Sequence, residues 1–251
     1  GFGTGVQGHA WQALDMRPLF APLLALLVIP GPVRACSIAL VLAMDVSGSV
    51  DAFEYRLQVE GVAGALRDPD VADAMLRGQV ALAVLQWSGA IEQSLTLPWV
   101  RVQEPADLNR LSARIAAMPR AHAGGNTAVG DAILAAVDLF DQVRDCAHWV
   151  IDVSGDGDEN EGFRIGLARR AAWARGIAIN GLAIEGVATG MAITNFYRRH
   201  VVTPGGFVIT AANHDDFFRA MREKLLRELI PPIAARREER WLAGFLQRRT
   251  P

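Results

Sequence analysis

Lysine is nearly absent from this chain of 251 residues: Lys224 stands alone against 24 arginines. The skew reflects genome composition more than arginine chemistry, but it removes lysine from almost every place where chemistry uses it. No Gly-Lys-Ser/Thr loop is present and no Gly-x-Gly-x-x-Gly follows the first apolar run, which excludes both common nucleotide-phosphate cradles. No Gly-x-Ser-x-Gly elbow supports a serine hydrolase. Charge of one sign is lacking as well. The formal net charge is −2, which leaves no electrostatic footprint for nucleic acid or an anionic membrane surface. No apolar run reaches the ~20 residues of a transmembrane segment. Internal repeats and low-complexity linkers are missing, and two cysteines allow one disulfide at most. What is present is enough chain for one good core, or two small ones.

The N-terminal region has the features of an address. Met16-Arg17-Pro18 is a short positive region, Leu19 to Ile29 is apolar, and Val33-Arg34-Ala35 places small residues before a cut. That is the layout of a secretory signal peptide over residues 16–35. Residues 1–15 precede its Met without a signal's features, which marks them as a mis-assigned start or leader. Pro18, Pro22, Pro30 and Pro32 punctuate the stretch too often for a buried helix. The mature chain is therefore expected to be periplasmic or secreted and to begin near Cys36. Val33-Arg34-Ala35-Cys36 also has the outline of a lipoprotein cleavage box, which Arg34 fits poorly.

Beyond that point short apolar runs alternate with amphipathic stretches. Strand-like runs cover 37–43, 79–87, 94–102, 148–153, 177–184 and 206–210, and helical periodicity covers 51–67, 105–118, 127–142, 161–175 and 213–229. Strands apolar on both faces and separated by helices predict an α/β fold over residues 36–230. Its core is a doubly wound, mostly parallel sheet of about six strands with helices on both faces. The connection between 79–87 and 94–102 is too short for a crossover helix, so this pair is an antiparallel hairpin at one edge. Pro231-Pro232 closes the last helix and a tail, 231–251, follows. Trp241, Leu242, Phe245 and Leu246 share one helical face of it, beside Arg236, Arg237 and Arg240. A packed helix and an exposed docking or membrane-surface segment both fit that pattern.

Ligands of such sheets gather beyond the carboxyl ends of the strands, and three loops there carry oxygen. They are Asp45-Val46-Ser47-Gly48-Ser49, Gly124-Gly125-Asn126-Thr127 and Ser154-Gly155-Asp156-Gly157-Asp158. Hydroxyls and carboxylates with no His or Cys nearby in sequence suit a hard cation, Mg²⁺, Mn²⁺ or Ca²⁺, rather than zinc. Each loop alone also reads as an ordinary cap. Asp51 with Glu54 forms a capping box, and Thr127 is placed to cap its own helix. Caps do not require Asp45 and Ser47 ahead of a separate capping residue, however, and three such loops at one edge point to a site. Asp158 and Glu159 compete with Asp156 in the third loop; Asp156 comes first after the strand and lies between glycines. Asp152 sits ~13 Å back along the strand, an interior aspartate rather than a ligand. His122 is a surface loop residue near the glycine pair, with a partner-binding rim as its alternative place.

Asp45-x-Ser47-x-Ser49, Thr127 after a glycine pair and Asp156 after a later strand resemble the metal-ion-dependent adhesion site (MIDAS) of von Willebrand factor type A (vWA) domains. The resemblance covers roughly residues 37–229 and looks closest to uncharacterised exported bacterial members. It implies that Asp45, Ser47, Ser49 and Thr127 hold the metal, some through water, and that Asp156 completes the ring through water. It implies an open coordination position for an acidic side chain of a partner protein, hence an interaction module and not an enzyme. In that family strands one and four are neighbours. Cys36 precedes Asp45 by 9 residues and Cys146 precedes Asp156 by 10, so the resemblance brings both cysteines together at the opposite edge of the sheet. A disulfide between them is then within reach, and it denies Cys36 to lipid.

A haloacid-dehalogenase-like phosphatase is the enzymatic alternative, because Gly155-Asp156-Gly157-Asp158-Glu159-Asn160 resembles its acidic Mg²⁺-binding motif. That chemistry needs an acid where Ser47 stands and a lysine upstream of the motif, whereas Lys224 lies downstream. A vWA domain with no metal-dependent ligand is the structural alternative.

Overall fold

The structure is a computed structural model that describes residues 1–3, 5, 36–186 and 191–229. The expected signal peptide, nearly all of the leader and the 231–251 tail lie outside the described residues. In chain order the elements are β1 (Ile38–Asp45), α1 (Ala52–Arg67), α2 (Pro69–Gly78), β2 (Ala81–Trp87), β3 (Gln93–Arg101), α3 (Pro105–Ala116), α4 (Val129–Leu139), β4 (His148–Gly155), α5 (Ile165–Ala174), β5 (Ile177–Ile184), α6 (Ala192–Phe196), β6 (Val208–Ala211) and α7 (Phe217–Leu229). A π-helical turn, Tyr197–Val201, follows α6.

The strands line up as β3-β2-β1-β4-β5-β6. All neighbours are parallel except the edge pair β2–β3, which is antiparallel as its short connection requires. β1 is buried along its whole length, and its alternation decides the layering, since successive strand side chains point to opposite faces. Leu40, Leu42 and Met44 meet a core built with α1, α2, α3 and α7, while the smaller Ala39, Val41 and Ala43 meet one built with α4, α5 and the π turn.

Three elements, α2, α6 and the π turn, were not expected. Asp68 ends α1 and its side chain accepts from the Asp70 and Val71 amides, with Pro69 at the first helical position of α2. A proline that reads as a stop for one helix is thus the start of the next. The π turn follows a helix of only five residues, too short for periodicity to reveal. Elsewhere α5 starts at Ile165 rather than 161, because Gly162 and Phe163 adopt φ of 76° and 53°. β4 runs on to Gly155, two residues past its apolar stretch.

The lone lysine belongs to the core. Lys224 is fully buried on α7, with its Nζ 2.7 Å from Asp152 Oδ1, and it donates to Glu228 Oε1 at 2.6 Å. Asn180 of β5 donates to the same Glu228 oxygen at 2.9 Å. Asp152 is therefore an interior aspartate held by an ion pair. Burial pushes its carboxyl up to about 7; the Lys224 ammonium opposes the rise and Glu228 adds to it.

Cys36 and Cys146 form a disulfide, their Cα atoms 4.5 Å apart. The register that pairs Ile38 with His148 across β1 and β4 also sets the two cysteines opposite each other. Cys36 thus keeps no free thiol for a lipid. Among the described residues, no helix is long and apolar enough to cross a membrane.

Candidate metal centre

β1 ends on Asp45, and the loop beyond it folds back over that carboxylate: the Ser47 amide donates to Asp45 Oδ1 at 2.8 Å. The other oxygen, Oδ2, is buried without a hydrogen-bond partner. Ser47 Oγ lies 3.2 Å from Ser49 Oγ and accepts from Thr127 Oγ1 at 3.4 Å. Ser49 Oγ donates to Asp156 Oδ1 at 2.6 Å. The five residues singled out from sequence are thus brought together from three loops. Asp45 and Ser47 are fully buried and Thr127 nearly so, while Asp156 is half-buried and Ser49 exposed. The cluster has a buried floor and a solvent-facing rim.

The helix caps can be assigned separately. Asp51 and Glu54 form the capping box of α1. Thr127 caps nothing: the residue before α4 is Ala128, with no side-chain bond to the helix. The amides there go to the third loop instead, Gly130 N donating to Glu159 Oε1 at 2.9 Å and Thr127 N to Asn160 Oδ1 at 2.8 Å. Glu159 therefore serves α4, Asp158 is exposed, and Asp156 is the third-loop acid that meets the hydroxyls. His122 is half-buried with its Nε2 3.0 Å from Ser94 Oγ on β3, a loop residue beside the hairpin.

Other side chains hold the loops in place and were not foreseen. Arg120 donates to the Val46 and Ser47 carbonyls at 2.8 and 2.9 Å, which stiffens the first loop from below. Ser88 Oγ donates to the Gly124 and Asn126 carbonyls at 2.8 and 3.1 Å. Gly125, at φ 94°, packs so tightly that a Cβ would lie 2.5 Å from Ser88 Oγ. Nothing local marks these partners: Arg120 is one arginine among 24, and the carbonyl of Ser47 is 73 residues away in sequence.

The floor is electrostatically unfinished. Burial pushes the Asp45 carboxyl up to about 7, against the hydrogen bonds from Ser47 that pull it down. The π turn directs Tyr197 to the same place, its hydroxyl buried and also without a partner. A Cβ on Gly155 would stand 2.6 Å from that hydroxyl and 2.7 Å from Asp45 Oδ2, so only glycine fits between them. Burial, and then the charges of Asp45 and Asp156, push the Tyr197 phenol well above its ordinary value. A buried carboxylate oxygen without a donor is costly, and a cation is a partner that satisfies it. Two carboxylates and three hydroxyls, with no nitrogen or sulfur among them, are the donor set of a hard ion. The residues present fit the metal that the sequence resemblance implies.

The family described as "Protein of unknown function (DUF1194)" matches residues 35–233. The chain belongs to DUF1194. Solved structures similar to this DUF1194 chain include a von Willebrand factor type A protein from Catenulispora acidiphila, at 16% identity and a TM-score of 0.54 over 78% of this chain and 43% of that one. Another is proximal thread matrix protein 1 from the mussel byssus with a zinc-occupied MIDAS motif, at 13% identity and a TM-score of 0.55 over 78% and 46%. A third is the pilus adhesin SpaC from Lactobacillus rhamnosus GG in its open conformation, at 12% identity and a TM-score of 0.57 over 78% and 31%. The chain matches less than half the length of each of these three. At such identities the likeness shows the fold, and the fold of this DUF1194 chain is that of vWA domains. No curated protein matches the sequence.

Proposed function

We propose that this DUF1194 chain is an exported, divalent-metal-dependent protein-binding module. Asp45, Ser47, Ser49, Thr127 and Asp156 hold one hard cation, Mg²⁺ or alternatively Mn²⁺ or Ca²⁺, some of them through water. An acidic side chain of a partner protein takes the position left open. The observation that carries this reading is the buried, partnerless Oδ2 of Asp45 at the floor of three converging oxygen loops. When bound, the cation supplies positive charge and an oxygen-seeking coordination position. The chain supplies the rest: Asp45 and Ser47 fix the floor away from water, and the exposed Ser49 with the half-buried Asp156 leaves the rim accessible.

Two similar structures support the use of this fold for such work, one a pilus adhesin and the other carrying zinc in its MIDAS motif. Export is supported by the Cys36–Cys146 bond, which persists in oxidising compartments, and by the signal-like layout of residues 16–35. Residues 36–230 then form the module, with 1–15 as leader and 231–251 as tail. The phosphatase alternative loses further ground, because the chain's single lysine is fully buried between Asp152 and Glu228.

Capture from an envelope extract tests the proposal. Immobilised protein should retain a partner in Mg²⁺ and release it in EDTA, and Asp45→Ala should retain none in either. A set of retained proteins indifferent to both EDTA and Asp45→Ala would contradict the proposal.

A further inference from the structure

Beside the five-residue cluster lies a second group of donors that it does not use. His214 opens the 3₁₀ turn ahead of α7 and is only 9% exposed. Its Nδ1 is 3.1 Å from Glu54 Oε1 in the first turn of α1, and its Nε2 is buried without a partner. One donor atom each from Glu54, Asp156 and His214 lies within 4.8 Å of the other two. Each carboxylate has one oxygen committed and one to give. Glu54 Oε2 accepts from the Asp51 amide in the capping box, and Asp156 Oδ1 accepts from Ser49. Two acids and one imidazole thus converge from α1, the β4 loop and the turn before α7, with no arginine or lysine paired to them among the described residues.

We propose that Glu54, Asp156 and His214 form a second cation site. A nitrogen and two carboxylates suit Zn²⁺ or a similar transition ion rather than Mg²⁺. The 3.1 Å between Nδ1 and Oε1 is already the spacing that two neighbouring ligands keep around an ion with bonds of ~2.0–2.2 Å. Such an ion relieves the proximity of two carboxylates and ties the start of α7 to the loop that carries Asp156. Asp156 then serves two ions through its two oxygens. That sharing rests on the function proposed above, whereas the triad itself does not.

Zn²⁺ titration by calorimetry, with stoichiometry checked by elemental analysis, tests the site. With Mg²⁺ in excess, the wild-type chain should take one Zn²⁺, lost or weakened on the order of a hundredfold in His214→Gln, while Mg²⁺ binding in that variant stays unchanged. Asp45→Ala should take one Zn²⁺ and no Mg²⁺. Glu54→Gln keeps the side-chain acceptor of the α1 cap and reads the same loss if His214→Gln fails to fold. A wild-type chain that takes no Zn²⁺ in excess Mg²⁺, or undiminished Zn²⁺ affinity in both His214→Gln and Glu54→Gln, overturns the second site. Unchanged Mg²⁺ binding in Asp45→Ala overturns the first reading and leaves the triad standing.

Discussion

Lys224→Met lowers the unfolding free energy by about 3–5 kcal/mol, the cost of stranding buried charge when one partner of an interior ion pair is removed. Lys224 has no exposed surface, and among the described residues its ammonium is the single cation paired with Asp152 and Glu228. Methionine fills the same volume, so the loss reports charge rather than packing. Taking away an acid should behave differently. Asp152→Asn leaves Lys224 paired with Glu228, which Asn180 also contacts, and one ammonium then balances one carboxylate.

The pH profile separates the two changes. The folded pKa of Asp152, about 7, stands above the ~3.9 of an unfolded aspartate, so the native state keeps a proton that the unfolded chain has released. Stability from this group is fully present below ~4 and is lost as pH rises through about 7. Denaturant unfolding at several pH values should show this slope in the wild-type protein and a flatter one in Asp152→Asn. A Lys224→Met chain as stable as the wild type would show that the pairing of Lys224 with Asp152 and Glu228 carries no net weight.

Removing the disulfide, by reduction or by Cys36→Ala with Cys146→Ala, should cost up to about 4–5 kcal/mol. That is the chain-entropy figure for a loop of this length and an upper value. The bond joins residues 110 apart in sequence, so its loss frees more than half of the vWA-like domain in the unfolded ensemble. The two cysteines lie at the edge of the sheet opposite Asp45, so reduction should leave metal binding intact wherever the chain remains folded. Thermal unfolding with and without reductant reads the first effect. An unchanged midpoint would show that the bond does not form in the protein.

The parts of this fold legible in the sequence are those that depend on local pattern. β5 was legible to the residue, since Ile177–Ile184 is apolar apart from Asn180 and Gly181 and lies between Gly176 and Glu185. The short 87–94 connection forced the β2–β3 hairpin. β4 was cut short because Ser154 and Gly155 are polar or lack a side chain, although the ladder continues through them. α2 was hidden by Pro69, whose sequence meaning is double. Within the site, Asp45, Ser47, Ser49, Thr127 and Asp156 stood out because each follows a strand or opens a helix. The residues that support them did not. Arg120, Ser88 and Tyr197 reach the loops through the tertiary fold, Glu159 was weighed only as a rival ligand, and His214 reaches Glu54 from the far end of the chain. Lys224 was conspicuous for being alone, but its partners depend on the rotational phase of α7 over β4, which single-sequence periodicity does not fix.

Calorimetric titration of the protein with Mg²⁺, in wild type and in Asp45→Ala, tests the central claim most directly. The five-residue site predicts one ion bound per wild-type chain. It also predicts none bound in Asp45→Ala, with the circular dichroism spectrum unchanged. Equal Mg²⁺ affinity in the two proteins, or none in either, would contradict it.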